Sequence, residues 1–218
     1  MAWTDPNTYI AGAILTAAQM NAMQANLLAG GPIYATEAAR NTAIPSPFEG
    51  QRAYITGSTV AAATGTNAAV PTGIQTVYNG AAWVCTTPVG AYSNTVGTLA
   101  FAAGAFVTTL TGDATAITAT LATGTTALIS MSADGFNSAA GNGFQIAVSV
   151  SGATTLAAGL NQGVIISAPA GSFYVTPART MILTGLTAGN NTFLLNYATG
   201  TGGTNTYTSR NLTVQGIA

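Results

Sequence analysis

Phe144-Gln145-Ile146-Ala147-Val148-Ser149-Val150 sets the fold class, because its large apolar residues alternate strictly with polar or small ones. Successive side chains of a strand point to opposite faces, so this period of two describes a strand with one buried face. Ile117, Ala119 and Leu121 repeat the pattern. Thr126–Met131, Val164–Ile166, Phe173–Val175, Thr180–Leu183, Phe193–Tyr197 and Leu212–Val214 are further β-type runs. Turn-forming stretches divide them: Thr111-Gly112-Asp113, Asp134-Gly135, Ser151-Gly152, Ala170-Gly171 and Ala188-Gly189-Asn190-Asn191. About eight or nine short strands spaced this way predict an antiparallel β-sandwich, jelly-roll-like, over residues 90–218.

Working towards the N-terminus, residues 32–89 form a smaller β module. Pro45-Ser46-Pro47-Phe48-Glu49-Gly50 is a turn-rich entry, and Gln51–Thr56 then reads as a strand. Gly57 to Gly73 is Ala/Thr/Gly-rich and reads as a long loop. Ile74–Tyr78, Asn79-Gly80 and Ala81–Val84 predict a hairpin with a type I′ turn on Asn-Gly, with Tyr78 and Trp83 on one face. Residues 1–31 are an extended segment followed by a helix. Thr16 and Gln19 make a capping box, Met20, Met23, Leu27 and Leu28 form an apolar stripe, and Gly30-Gly31-Pro32 ends the helix. A helix of roughly 13 residues is marginal alone in water, so the stripe must dock, on its own domain or between subunits.

The 218 residues include four arginines, no lysine, no histidine and five carboxylates, so 4% are charged, where about 25% is usual. There are 43 alanines and 37 threonines. Four positive charges cannot neutralise a run of phosphates, which excludes nucleic-acid binding through the backbone. Without histidine there is no Ser-His-Asp or Cys-His relay and no imidazole metal site; Cys85, the single cysteine, forms no intrachain disulfide. Ile10 to Leu28 is interrupted by Thr16, Gln19, Asn21, Gln24 and Asn26, too polar to insert in a membrane. Asp5-Pro6-Asn7 stands where a signal peptide carries positive charge, so no secretion address is expected. No charge falls between Arg52 and Asp113, or between Asp134 and Arg179. Such a surface suits a chain packed against copies of itself or within an assembly; a secreted polar domain is the alternative.

No catalytic constellation emerges, and no enzyme, cofactor or metal is expected. Asp113 and Asp134, with Glu37 and Glu49, are the carboxylates open to a glycosidase, but both aspartates sit in turn-like contexts. Cys85 beside Val84 and Trp83 reads as a small buried hydrophobe. Trp83, Tyr92, Phe136, Tyr174 and Tyr207 are candidate sugar platforms, with core packing as the competing reading; Trp83 and Tyr207 are the candidate glycan contacts. Arg179 and Arg210 are conspicuous in so neutral a chain. Each can pair with Asp113 or Asp134, or donate to loop carbonyls at a subunit interface. The candidate assembly residues are Met20, Met23, Leu27, Leu28, Arg179 and Arg210.

The opening Trp3-Thr4-Asp5-Pro6-Asn7-Thr8-Tyr9-Ile10-Ala11-Gly12-Ala13-Ile14-Leu15-Thr16-Ala17-Ala18-Gln19-Met20-Asn21, closed by Asn26-Leu27-Leu28, resembles the start of small structural proteins of tailed bacteriophages. It lacks the Arg-Asp often found just before that stretch. Pro47-Phe48-Glu49-Gly50-Gln51-Arg52-Ala53-Tyr54-Ile55 with Val77-Tyr78-Asn79-Gly80-Ala81-Ala82-Trp83 is similar to a β module of phage fibre and tail proteins. Leu186–Tyr197 with Arg210–Val214 resembles the last strands of phage jelly-roll domains, often trimeric and akin to the tumour-necrosis-factor fold. The resemblance covers about half the chain. It implies a homotrimeric virion structural protein, assembled in the host cytoplasm and exposed on the particle. Its position would be a tail-associated fibre or tail tip, with capsid decoration or a head fibre as the alternative; the lack of a long shaft repeat pulls towards a compact decoration or collar role, and a glycan-binding module for host cell-surface recognition is the other alternative function. Its partners would be itself, other virion proteins and a host cell-surface glycan.

Overall fold

A computed structural model describes Thr16, Ala17, Met20, Asn21 and Gln24, and residues 31–100, 105–139, 142–167, 174–200 and 202–218. The protein is mainly β, with an antiparallel sandwich at its centre. One layer has the order β13-β10-β15-β7-β4, built from Ala178–Thr184, Thr126–Asn137, Thr204–Gly216, Val89–Ser93 and Asn67–Ala69. Strand β8 (Gly97–Ala100) continues the position of β7 along β15. The other layer has the order β12-β11-β14-β9-β3, built from Gly163–Ser167, Gly143–Gly152, Gly189–Thr199, Thr118–Thr123 and Ala62–Thr64.

The period-two pattern is realised as buried and outward positions. Ile129, Met131, Leu212, Val214 and Val89 face Phe144, Ile146, Val148, Phe193, Leu195 and Leu121, all of them buried. Each such side chain contributes roughly 1.5–3 kcal/mol when removed from water. Apart from Asp134 on β10, the outward strand positions of the first layer's long rows are uncharged. Across the first layer run Thr180, Ser130, Thr213, Gly90 and Ala69, and beside them Ala178, Ser132, Asn211, Tyr92 and Asn67. The second layer holds no charged residue in any strand; Thr120 and Thr192 hydrogen-bond across its outer surface at 2.8 Å.

A smaller sheet of order β1-β2-β5-β6 comprises Ile33–Tyr34, Arg52–Ile55, Ile74–Tyr78 and Trp83–Cys85. Helix α1 (Glu37–Ala43) follows β1; the Thr36 hydroxyl caps it by accepting from Ala39 N at 3.2 Å. The hairpin turn lies one residue later than expected. Asn79 N donates to Ala82 O, Gly80 alone takes positive φ (+90°), and the Asn79 side chain accepts from Ala81 N and Ala82 N. This fits a turn centred on Gly80-Ala81, with Gly at the first central position.

Two further expectations are corrected. The stretch from Gly57 to Gly73 is not simply a loop: β3 pairs with β9 and β4 with β7, so it gives one edge strand to each sandwich layer. The expected boundary at residue 89/90 therefore does not divide the sheets. Asp134-Gly135 is not a turn either. It lies inside β10, where the register against β15 shifts. Glycine is required there, since a Cβ would stand 1.9 Å from Thr206 O and 2.7 Å from the Phe144 ring.

Of the N-terminal helix, Ala17, Met20, Asn21 and Gln24 are helical, and Met20 N donates to Thr16 O at 3.0 Å. Met23, Leu27 and Leu28 lie outside the described residues.

Candidate functional site

Helix α1 places Glu37, Arg40 and Asn41 at i, i+3 and i+4, on one face. That face meets Thr76 of β5, Trp83 of β6, and Ala122 and Asn190 of the sandwich around a cleft of about 300 Å³. Arg40 is 4% exposed. Its Cζ lies 4.3 Å from the Trp83 ring centroid, within cation–π range. Its Nη1 donates to Thr76 Oγ1 at 3.2 Å, and its Nε and Nη2 donate to Asn41 Oδ1 at 3.1 and 2.9 Å. These partners are neutral, and among the described residues no carboxylate reaches ion-pair distance of Arg40. Burial lowers the Arg40 pKa to about 10, a fall opposed by the charge of Glu37. Glu37 turns to the 58–59 loop, accepting from Ser58 Oγ and, at 3.1 Å each, from Thr59 N and Oγ1. Burial raises its pKa, but these bonds to the ionised form outweigh it and leave the pKa lowered.

A second charged centre is internal. Arg210 of β15 is 0% exposed and pairs through Nη2 with Asp113 Oδ2, while the same nitrogen donates to Ser93 Oγ at 2.8 Å and Thr95 O at 3.0 Å. Ser93 Oγ also donates to Asp113 Oδ2 at 2.7 Å, and Thr115 N donates to Oδ1 at 3.0 Å. Burial raises the Asp113 pKa, but the Ser93, Thr115 and Arg210 donors outweigh it and hold it at about 2. Of the two carboxylates open to it, Arg210 takes Asp113. The pair fastens residues 93–95 and 113–115 to β15 and engages Asp113 as a structural group. Arg210 is thus corrected as a candidate interface residue, because no part of it reaches the surface.

Arg179 sits on β13 and its Nη1 donates to Asn161 O at 3.1 Å, to Leu160 O and to Gly163 O. It ties the short 3-10 turn Leu160–Gln162 and the start of β12 to β13, closing that edge within one chain. Met20 is 54% exposed. Tyr207 is corrected as a glycan contact: it is fully buried, its hydroxyl donates to Gln145 O at 3.0 Å, and its ring packs on Phe144 and Tyr197. Trp83 is half-buried, with Arg40 over its ring and Tyr78 edge-on at 5.6 Å. Tyr92 is 38% and Tyr174 67% exposed, the latter edge-on to Phe136. Cys85 is buried, and burial raises its thiol pKa to about 11. Among the described residues no cluster of acidic, His or Cys side chains could hold a metal ion, and no helix is long and apolar enough to cross a membrane.

Sequence reading missed the part played by Arg40. The available signal was Thr36-Glu37 followed by Arg40-Asn41 at helical spacing, in a chain with three other arginines.

No protein-family model matches the sequence, and no curated protein does. Among solved structures, a chain of infectious bursal disease virus, Gx strain, aligns with 65% of this chain at 10% identity and a TM-score of 0.40; the match spans 40% of the viral chain. Eiger TNF from S. frugiperda aligns with 57% at 11% identity and a TM-score of 0.34, over 87% of its own length. TmCBM61 in complex with beta-1,4-galactotriose aligns with 57% at 9% identity and a TM-score of 0.27, over 68% of its length.

Proposed function

We propose that this chain is a non-catalytic structural subunit of a tailed-bacteriophage virion. In this reading it is a homotrimer whose sandwich faces outward from a tail-associated fibre or tail tip. One observation carries the assembly reading: five of the nine charged residues are engaged within the chain, while Glu49 and Arg52 are exposed and Asp134 lies half-buried on the outer side of β10. Arg210 and Asp113 neutralise each other in the core, Arg40 is buried on Trp83, Glu37 is held by Ser58 and Thr59, and Arg179 is pinned to three carbonyls. Asp134 aside, the outward sheet rows are left with hydroxyls, amides and methyl groups. Net charge keeps proteins soluble and apart, and the centres of protein interfaces are depleted of it. A surface built this way favours contact with copies of itself. The virion assignment rests on the N-terminal resemblance.

Light scattering after size exclusion tests the oligomer. The expected mass is about three times the 21.6 kDa of one chain; a monomer at every concentration would overturn the trimer. Immunogold labelling of particles with antibody to this chain tests the position. Label at the tail tip supports the proposal, and label confined to the head replaces it with decoration or a head fibre.

A further inference from the structure

We infer that the cleft between α1, the small sheet and the sandwich is a binding site for a carboxylate-bearing sugar, read by Arg40. A guanidinium carries five N–H donors. Three are taken by Asn41 and Thr76, which leaves one on each terminal nitrogen. The group is 4% exposed and its direct partners are neutral. A buried cation of this kind is costly unless a charge joins it; Glu37, one helical turn away on the same cleft wall, acts on it through space but is held by Ser58 and Thr59 and makes no direct pair. The direct partner that is lacking is an anion that arrives with the ligand. A single cation matches a single carboxylate, which guanidinium binds side by side, better than a phosphate dianion.

The rest of the lining selects a sugar as the carrier of that carboxylate. Trp83 is half-buried, with Arg40 over one face of its ring, and what it leaves uncovered is the apolar edge that the C–H face of a pyranose can meet beside the guanidinium. At the rim stands Asn190, exposed and with no side-chain hydrogen bond among the described residues, and the Asn41 oxygen rather than its N–H groups is what Arg40 uses. The cleft volume of about 300 Å³ is at the small end of ligand pockets, enough for a sugar ring and too small for an extended peptide. This site is independent of assembly and would give an exposed virion protein a way to hold acidic surface polysaccharide.

The test is an NMR chemical-shift titration of the full chain with sodium glucuronate, with glucose and sodium acetate as parallel arms. Saturable shifts are expected at the Trp83 indole and the Asn190 amide with glucuronate, and about tenfold weaker binding, or 1.4 kcal/mol, in both other arms. Arg40→Gln should abolish the glucuronate response, and Arg40→Lys should weaken it about tenfold by removing the fork. Asn190→Ala, at an exposed position with no partner to lose, should weaken it about threefold while leaving the rest of the spectrum in place. No saturable response to glucuronate would overturn the inference. So would glucose binding as tightly as glucuronate, since the carboxylate would not be read. Acetate binding as tightly would remove the sugar. If the Arg40 variants fail to fold, unchanged affinity in Asn190→Ala would overturn the site as drawn.

Discussion

Asp113→Asn removes one charge from a pair whose other member cannot reach water. Arg210 is 0% exposed, and among the described residues its Nε and Nη1 have no hydrogen-bond partner and Asp113 is its counter-charge. Stranding a buried charge costs about 3–5 kcal/mol. With a urea m-value of about 2–3 kcal/mol/M, the unfolding midpoint should fall by roughly 1–2 M. Arg210→Met should cost less, about 1–3 kcal/mol, because Asp113 keeps its bonds from Ser93 and Thr115 N. The double variant should be more stable than Asp113→Asn alone, since the charge left stranded is gone. The effect also has a pH signature. The Asp113 pKa is held at about 2 in the folded chain, below its ordinary 3.8, so its contribution is full above about pH 4 and is lost as pH falls through 2. The gap between wild type and Asp113→Asn should therefore close between pH 4 and 2. Urea melts of the four proteins at pH 7, 4 and 2.5 measure all of this. A midpoint shift below about 0.3 M for Asp113→Asn at pH 7, or a gap independent of pH, would refute the reasoning.

Gly135→Ala should abolish the β10–β15 register or cost about 3 kcal/mol or more, because the new Cβ meets a backbone carbonyl at 1.9 Å; far-UV circular dichroism and thermal melting report it. The Cys85 thiol, buried and with its pKa raised to about 11, should resist thiol reagents at pH 8 in the folded chain and react at once in denaturant. Arg179→Gln should cost about 1 kcal/mol and raise amide exchange over residues 160–167, where three carbonyls lose their donor. A fragment of residues 90–218 should aggregate, because it lacks β3, β4 and the start of β7 and exposes two strand edges; a fragment beginning at residue 31, which keeps all three sheets whole, should stay soluble.

What could be read from the sequence followed the size of the side chains. Strand β11 carries Phe, Ile and Val at every second place, β14 has Phe193, Leu195 and Tyr197 in that phase, and β9 continues Ile117 with Ala119 and Leu121; burial enforces the period, so they were legible. Strands β3 and β4 were not. They consist of Ala, Thr and Asn, leave most positions exposed, and hold their place through backbone pairing with edges already built. Helix α1 has seven residues and buries mainly Arg40, so only its threonine cap marked it. Asp134-Gly135 has turn chemistry, but a glycine required by close approach looks the same in sequence as one required by a bend. Tyr207 has the composition of a sugar platform; its burial comes from a register that places it opposite the Phe144 ring. The rarity of charge made Arg179 and Arg210 conspicuous, and Arg40, which shapes the cleft, was hidden in an alanine-rich stretch.

The two short strands joined by Gly65 and Thr66 also set how the chain carries tension. If the N-terminal segment is tethered and the sandwich is pulled away, force arriving through residue 60 meets three residue pairs to β9 and then three to β7, with the small sheet and the five-pair β7–β15 ladder still between it and the long β10–β15 ladder. The strap is a mechanical fuse. It can peel and re-zip while the central layers stay intact, so extension is taken up first at the edge of the sandwich.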